Sequence, residues 1–219
     1  MRFSRRALAQ AAIVTLSLTG AAACTPGQFP TPAASMLTSL GTSADAEPTT
    51  GPMTDAIVAD SVAALDALGA GDRTALLSSL RPLAVEVGAR AGIDPAELER
   101  VWTATDSIRM TAVLSALSQV GVRYRYASAT PGKAFDCSGL VSWAWSQSGI
   151  QLPAQSKKMI NGLVKKDIST ALPGDVLWYP GHVSLALGVG GSFVHAPYSG
   201  SRIEVRASTS RRLVVGSPV

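Results

Sequence analysis

The chain has 219 residues, a formal net charge of +4 and an apolar content of 47%, much of it alanine. That length suits one ordinary domain with additional segments, and no internal run of about 20 apolar residues predicts a membrane span. Residues 1–23 hold three arginines and no acid, so the remainder nets +1 from 16 Lys and Arg against 15 Asp and Glu, which excludes the electrostatic footprint of a nucleic-acid binder.

Residues 1–23 read as a signal peptide: Arg2, Arg5 and Arg6, an apolar run from Ala7 to Leu18, then Thr19-Gly20-Ala21-Ala22-Ala23 before Cys24. Ser4-Arg5-Arg6 with Leu8 is faintly similar to a twin-arginine signal. Ala21-Ala22-Ala23 fits ordinary cleavage, and with Cys24 it also resembles a lipoprotein processing site in which Ala21 replaces the usual Leu. The chain is therefore expected to be exported to the cell envelope or beyond. Membrane contact is expected only through the signal or a lipid anchor at Cys24. Residues 24–52, with Pro26, Pro30, Pro32, Pro48 and Pro52 among Thr, Ser, Ala and Gly, lack the apolar side chains that could offset ordering and are expected to be a disordered linker.

Residues 53–105 form a predicted helical accessory segment. Ile57, Val58, Val62, Leu65 and Leu68 recur at helical spacing, and Leu76, Leu77, Leu80, Leu83 and Val87 repeat the pattern after Asp72, with Pro82 placed to kink or divide the second helix. Asp94-Pro95-Ala96-Glu97 is a helix start, with Asp94 as N-cap, Pro95 in the first turn and Glu97 reaching back. A helix from Asp106 to Val120, stopped by Gly121, opens the domain assigned to residues 106–219.

Beyond Tyr124 the pattern changes. Residues 127–134 read as a loop and Cys137 to Ser148 as a helix ending at Gly149. Val176 to Tyr179 is a short strand, and the alternation from His182 to Leu187 is that of a half-buried strand. Gly188, Gly190 and Gly191 supply a turn to a returning strand, Ser192 to His195, with a further strand at Ile203-Glu204-Val205. Helices first and antiparallel strands later predict an α+β domain.

Two cysteines and two histidines carry the candidate chemistry. With Cys24 in the processing region, Cys137 stands as a lone thiol in an exported chain. Asp136 can cap the helix and leave Cys137 in its first turn, where N–H groups and the helix dipole favour a thiolate; a small buried Cys packing as a hydrophobe is the alternative. His182 and His195 sit on adjacent predicted strands. Antiparallel pairing about a centre between Gly188 and Val189 places them directly opposite, about 5 Å apart at Cβ, so that His195 holds one ring nitrogen of His182 while the other faces Cys137. Centred on Gly190-Gly191, the register instead puts His182 opposite Gly200's neighbour at position 199. No C-x-x-C or H-E-x-x-H spacing supports zinc, and no G-x-S-x-G, P-loop or dinucleotide fingerprint occurs. Neither metal nor cofactor is expected.

Gly121-x-x-Tyr124-x-Tyr126, Phe135-Asp136-Cys137-Ser138-Gly139-Leu140-Val141, Leu152-Pro153-x-x-Ser156, Pro173-Gly174-Asp175-Val176-Leu177, Gly181-His182-Val183 and Phe193-Val194-His195-Ala196-Pro197 together resemble the NlpC-type peptidoglycan endopeptidases. The likeness spans roughly residues 108–208. It implies a papain-like α+β domain, helices packed on a small antiparallel sheet. It also implies hydrolysis of peptidoglycan stem peptides at the D-γ-glutamyl–meso-diaminopimelate bond.

By the same resemblance Cys137 is the nucleophile, His182 its base and His195 the polar third member. Tyr124 and the Cys137 N–H serve the oxyanion, and Asp136, Ser138 and Ser156 line the substrate subsite. For Asp136 and Ser138 helix capping is an equal alternative. The chain departs from the usual family pattern where Arg123 replaces Pro, Tyr126 stands for a Trp that is sometimes Tyr, Ala127-Ser128 for Gly-Gly, and Ala154 for Arg. Two other readings remain open: a related amidase or acyltransferase acting on another amide or ester, and an inactive wall-binding module. Arg202, Arg206, Arg211 and Arg212 form either a solvated edge or a contact for anionic wall polymers.

Overall fold

A computed structural model describes residues 52–207 and 213–219, with side chains from Asp55 onward. The predicted signal and linker, Cys24, Arg211 and Arg212 lie outside the described residues. Four helices come first: α1 (Pro52–Ala70), α2 (Arg73–Ala91), α3 (Pro95–Ala104) and α4 (Ser107–Leu117). Side-chain carboxylates start three of them: Asp72 accepts from the Ala75 N–H, Asp94 from Ala96 and Asp106 from Arg109, each satisfying an otherwise orphaned amide. Pro82 lies inside α2 without dividing it. Among the described residues no helix is long and apolar enough to cross a membrane.

The segment expected to be a loop carries two short strands. β1 (Arg123–Tyr124), β2 (Ala129–Thr130) and β3 (Ala134–Phe135) form a small sheet in the order β1-β3-β2. Two helices follow, α5 (Cys137–Ser146) and α6 (Ser156–Asn161). The strands β4 (Val164–Lys166), β5 (Val176–Tyr179), β6 (His182–Ala186), β7 (Ser192–His195), β8 (Glu204–Ala207) and β9 (Val214–Ser217) then build an antiparallel sheet in the order β4-β9-β5-β6-β7-β8. The fold is α+β.

β9 was not foreseen, yet it lies inside the sheet. Its Gly216 is required by packing, because a Cβ there would come within 2.8 Å of Ile160 Cδ1 and Leu163 Cβ. The expectation of a half-buried β6 is also corrected, since all five of its residues are buried. Val183 and Leu185 enter the main core, while Ala186 joins Leu177 and Val215 in a second cluster. A strand in the middle of a sheet covered on both faces loses the solvent side that alternation implies.

The accessory helices share the main core with the sheet and α5: Ile57, Leu80, Leu83, Val87, Leu98 and Trp102 belong to the same cluster as Leu140, Trp145, Val183 and Val194. Trp102 is fully buried, and its indole N–H donates to the Leu187 carbonyl at 2.9 Å, just past β6. A charged tie joins α4 to the sheet. Arg109 Nη1 donates to Asp175 Oδ1 at 2.8 Å and to the Pro173 carbonyl at 3.0 Å, and Nη2 donates to Ser217 Oγ at 2.7 Å. Lys166 Nζ donates to the other Asp175 oxygen at 2.8 Å.

Candidate active site

The site is built where the start of α5 meets the start of β6. Asp136, at φ −93° and ψ 177°, is the N-cap of α5, and its carboxylate accepts from the Gly139 N–H at 2.6 Å. Cys137 is thereby the first helical residue, half-buried, and the free thiol among the described residues. Gly139 is dictated by a close approach. A Cβ there would lie 2.2 Å from the Ser128 carbonyl oxygen, which itself accepts from the Asp136 N–H at 2.8 Å. The loop before the helix is thus clamped directly onto its first turn. Ala127, beside that clamp, has φ +53°. It occupies a left-handed conformation that costs any residue with a Cβ, at one of the two positions where the resemblance has glycine.

The environment of the thiol corrects one expectation. Burial pushes the Cys137 thiol up, and the negative charge of Asp136 adds to this; the Val183 N–H and the amides of Ser138 and Cys137 itself pull it down but do not prevail. The helix start favours the thiolate as foreseen. Desolvation simply outweighs it in the free protein. β6 reaches the thiol through its backbone: the Val183 amide, next to His182 in the chain, is bonded to the sulfur.

His182 and His195 are 6% and 8% exposed, and His182 Nε2 lies 2.9 Å from His195 Nδ1. Their rings meet edge to face, with centroids 5.1 Å apart. The two are not directly opposed as expected. The ladder pairs Leu185 with Val194 and Ala186 with Phe193, so the register is centred between Val189 and Gly190 and His195 falls level with Ser184. The shift moves the partner by two residues, and since side chains alternate with period 2, both histidines keep the same face. Diagonal neighbours remain within reach of ring side chains. Tyr179 is the ladder partner of His182, with ring centroids 5.0 Å apart.

Tyr124 stands on β1 beside the thiol. Burial first, then the negative charges of Cys137 and Asp136, push its phenol upward, which keeps the hydroxyl protonated and able to donate. Asp136 and Ser138 are engaged in capping. Ser138 Oγ shares its one proton between Asp136 Oδ1 at 3.0 Å and the Ala154 carbonyl at 3.2 Å, so the 152–155 loop is tied to the helix start. Ser156 opens α6 just beyond that loop, where Gln155 is the N-cap.

Sequence reading missed Glu204. β7 and β8 pair His195 with Glu204 directly, and His195 Nε2 lies 3.4 Å from Glu204 Oε1. Arg206 flanks the same carboxylate, with Nε at 2.6 Å. The only signal was a lone acid within the apolar strand Ile203-Glu204-Val205, and the register that gives it meaning depends on the irregular chain between Ala196 and Ile203. Among the described residues no group of three or more His, Cys, Asp or Glu side chains is arranged to hold a metal ion.

Residues 121–213 match the sequence profile of the NlpC/P60 family. Over 100 residues the chain is 40% identical to a Mycobacterium tuberculosis protein named "Probable endopeptidase", covering 44% of this chain and 26% of that protein. It is 32% identical over 105 residues to "Peptidoglycan endopeptidase RipA" of Mycolicibacterium smegmatis, covering 41% of this chain and 21% of RipA. The match thus spans only about a quarter of the length of these two curated relatives. Among solved structures, the NlpC/p60 domain of the peptidoglycan hydrolase SagA aligns at 27% identity and a TM-score of 0.45, covering 50% of this chain and 97% of that one.

Proposed function

We propose that this chain, whose residues 121–213 form an NlpC/P60 domain, is a cysteine endopeptidase that hydrolyses peptidoglycan stem peptides, at the D-γ-glutamyl–meso-diaminopimelate bond, outside the cytoplasmic membrane. The relatives named as endopeptidases support a cell-wall hydrolase. The observations that support the reading are the Val183 amide, next to His182 in the chain, bonded to the Cys137 sulfur, and the 2.9 Å contact between His182 and His195.

In this reading His182 Nδ1 takes the Cys137 proton, and His195 orients and supports the imidazolium that results. The thiolate attacks the stem-peptide carbonyl. The Cys137 N–H and the Tyr124 hydroxyl stabilise the oxyanion. As the tetrahedral centre collapses, His182 returns its proton to the leaving amine, and water activated by His182 then hydrolyses the thioester. Because burial raises the thiol in the free protein, the ion pair with His182 supplies the reactive thiolate. Asp136 and Ser138 hold the helix start and the 152–155 loop that border the groove, and Ser156 contributes from the start of α6 just beyond it. Ala154, where the resemblance has arginine, leaves that border without the usual cation and bears on substrate choice.

Digestion of purified peptidoglycan, followed by mass analysis of a defined muropeptide, tests the reaction and the bond together. New amino and carboxyl ends between the second and third stem residues are expected. Release of the same fragments by Cys137→Ala removes Cys137 as nucleophile, and cleavage of another linkage moves the chain to the amidase or acyltransferase reading.

A further inference from the structure

The His182–His195 contact leaves a question of protons. A neutral imidazole carries one N–H, so within the pair one ring must donate and the other accept. Two arrangements are possible across the 2.9 Å contact between His182 Nε2 and His195 Nδ1. If His182 donates from Nε2, its Nδ1 is a lone pair and can accept the thiol proton. If His195 donates from Nδ1, the His182 proton is forced onto Nδ1, and the base is blocked. Nothing in the pair itself chooses between them.

The next residue along the sheet does choose. Glu204 is the ladder partner of His195, with Oε1 3.4 Å from His195 Nε2, and the two side chains are 10% and 32% exposed. That separation is long for a hydrogen bond but close for a charge. A carboxylate only accepts, so it favours a proton on Nε2 of His195. That leaves Nδ1 as an acceptor, which calls the His182 proton to Nε2.

We propose that Glu204 is a positioning residue that holds His195 in its Nε2–H tautomer and so presents the Nδ1 lone pair of His182 to Cys137. The chain then reads Glu204 carboxylate, His195, His182, Cys137, with each N–H pointing towards the carboxylate. On activation one bond changes. The S–H proton moves to His182 Nδ1, giving a thiolate and an imidazolium, while Nε2–H stays donated to His195 and the Glu204 charge stabilises the cation through it. Arg206, bonded to both Glu204 oxygens at 2.6 and 3.3 Å, holds that carboxylate in place. Tyr179 on β5 stands against His182 with ring centroids 5.0 Å apart, Asp136 at α5 and Tyr124 on β1 border Cys137, and Tyr198 lies near Arg206.

The inference rests on the proposed role of Cys137 and His182 but can fail separately from the proposed substrate. Alkylation of Cys137 by iodoacetamide across pH needs no substrate. Glu204→Gln, whose amide can donate to Nε2 and stabilise the blocked tautomer, is expected to lower the rate at neutral pH at least about tenfold and to move the profile alkaline. Glu204→Asp is expected to restore most of the rate. A purely structural β7–β8 pair would change the melting temperature and leave the alkylation profile where it was, and that result overturns the proposal. Ring ¹⁵N shifts of the wild-type protein give an answer independent of any variant: a neutral His195 protonated at Nδ1 also overturns it. A wild type that alkylates as described but releases no stem-peptide fragments would instead refute the proposed substrate and leave the Glu204 assignment intact.

Discussion

His182 and His195 lie 2.9 Å apart although neither is the other's partner across the sheet. The ladder sets His195 level with Ser184, and the two rings close the diagonal by meeting edge to face. Because the contact is diagonal, it depends on side-chain rotamer as well as register.

The two histidines should therefore differ in how much activity they carry. We expect His182→Ala to lose about 10²–10⁴-fold in kcat, the range of general acid–base catalysis. His195→Gln, whose amide oxygen can still accept from His182 Nε2, is expected to retain more activity than His195→Ala. Steady-state kinetics on a defined muropeptide checks the order; equal loss in Gln and Ala variants would show that acceptance at that position is irrelevant.

Gly139 should not tolerate a side chain. Its Cβ would lie 2.2 Å from a backbone oxygen, that of Ser128, and backbone cannot swing aside as a side chain can. Gly139→Ala is expected to cost about 1–3 kcal/mol or more, as overpacking does, and to lower activity beyond the folded fraction by displacing the helix start that carries Cys137. Denaturant melts and active-site titration on the same sample separate the two effects.

Ala127→Gly should stabilise the protein. The left-handed φ of +53° costs an alanine about 1–2 kcal/mol, and glycine gives back part of that through its freer unfolded chain, about 0.4–1 kcal/mol. A net gain of roughly 0.5–1 kcal/mol is expected, read as a rise in melting temperature; a fall would mean that the backbone at this position is not left-handed in solution.

Asp175 links stability to acid. Burial pushes its carboxyl up, but the donors Lys166, the Leu172 N–H and Arg109 outweigh this and hold it below the usual carboxylate range. A depressed folded value means that the stabilisation is complete above the unfolded pKa of about 3.9 and is lost as pH falls through the folded value. Asp175→Ala, which removes the buried carboxylate of the 5%-exposed Arg109 and leaves it only the half-exposed Asp106 at 3.7 Å, is expected to cost about 3–5 kcal/mol at pH 7. The variant's urea midpoint should also fall less steeply below pH 4 than that of the wild type.

Trp102 should report whether residues 53–105 fold with the rest. It is fully buried on α3, and its N–H reaches the Leu187 carbonyl beyond β6. Trp102→Ala is expected to cost about 3–5 kcal/mol within one cooperative transition. Two separate transitions would show that the accessory helices melt independently.

Much of this was legible in the chain because it depends on local patterns. Asp72, Asp94 and Asp106 announce helix starts through short side chains that reach backbone amides two or three residues on. Asp136 does the same for the helix that carries Cys137, and the two histidines stand out because the chain has only two. The face they share follows from alternation alone, since any register shift of two preserves it.

What required the folded molecule is whatever depends on pairing between distant segments. β9 is too short to stand out, and it becomes a strand because β4 and β5 flank it on both sides. The two covered faces of β6, the burial that raises the Cys137 thiol and the meeting of His195 with Glu204 arise only when the sheet is assembled. Sequence spacing constrains which neighbours a residue can have along the chain and on which side it points. Desolvation and cross-strand contact are set by atoms from elsewhere, and only tertiary structure brings those atoms close.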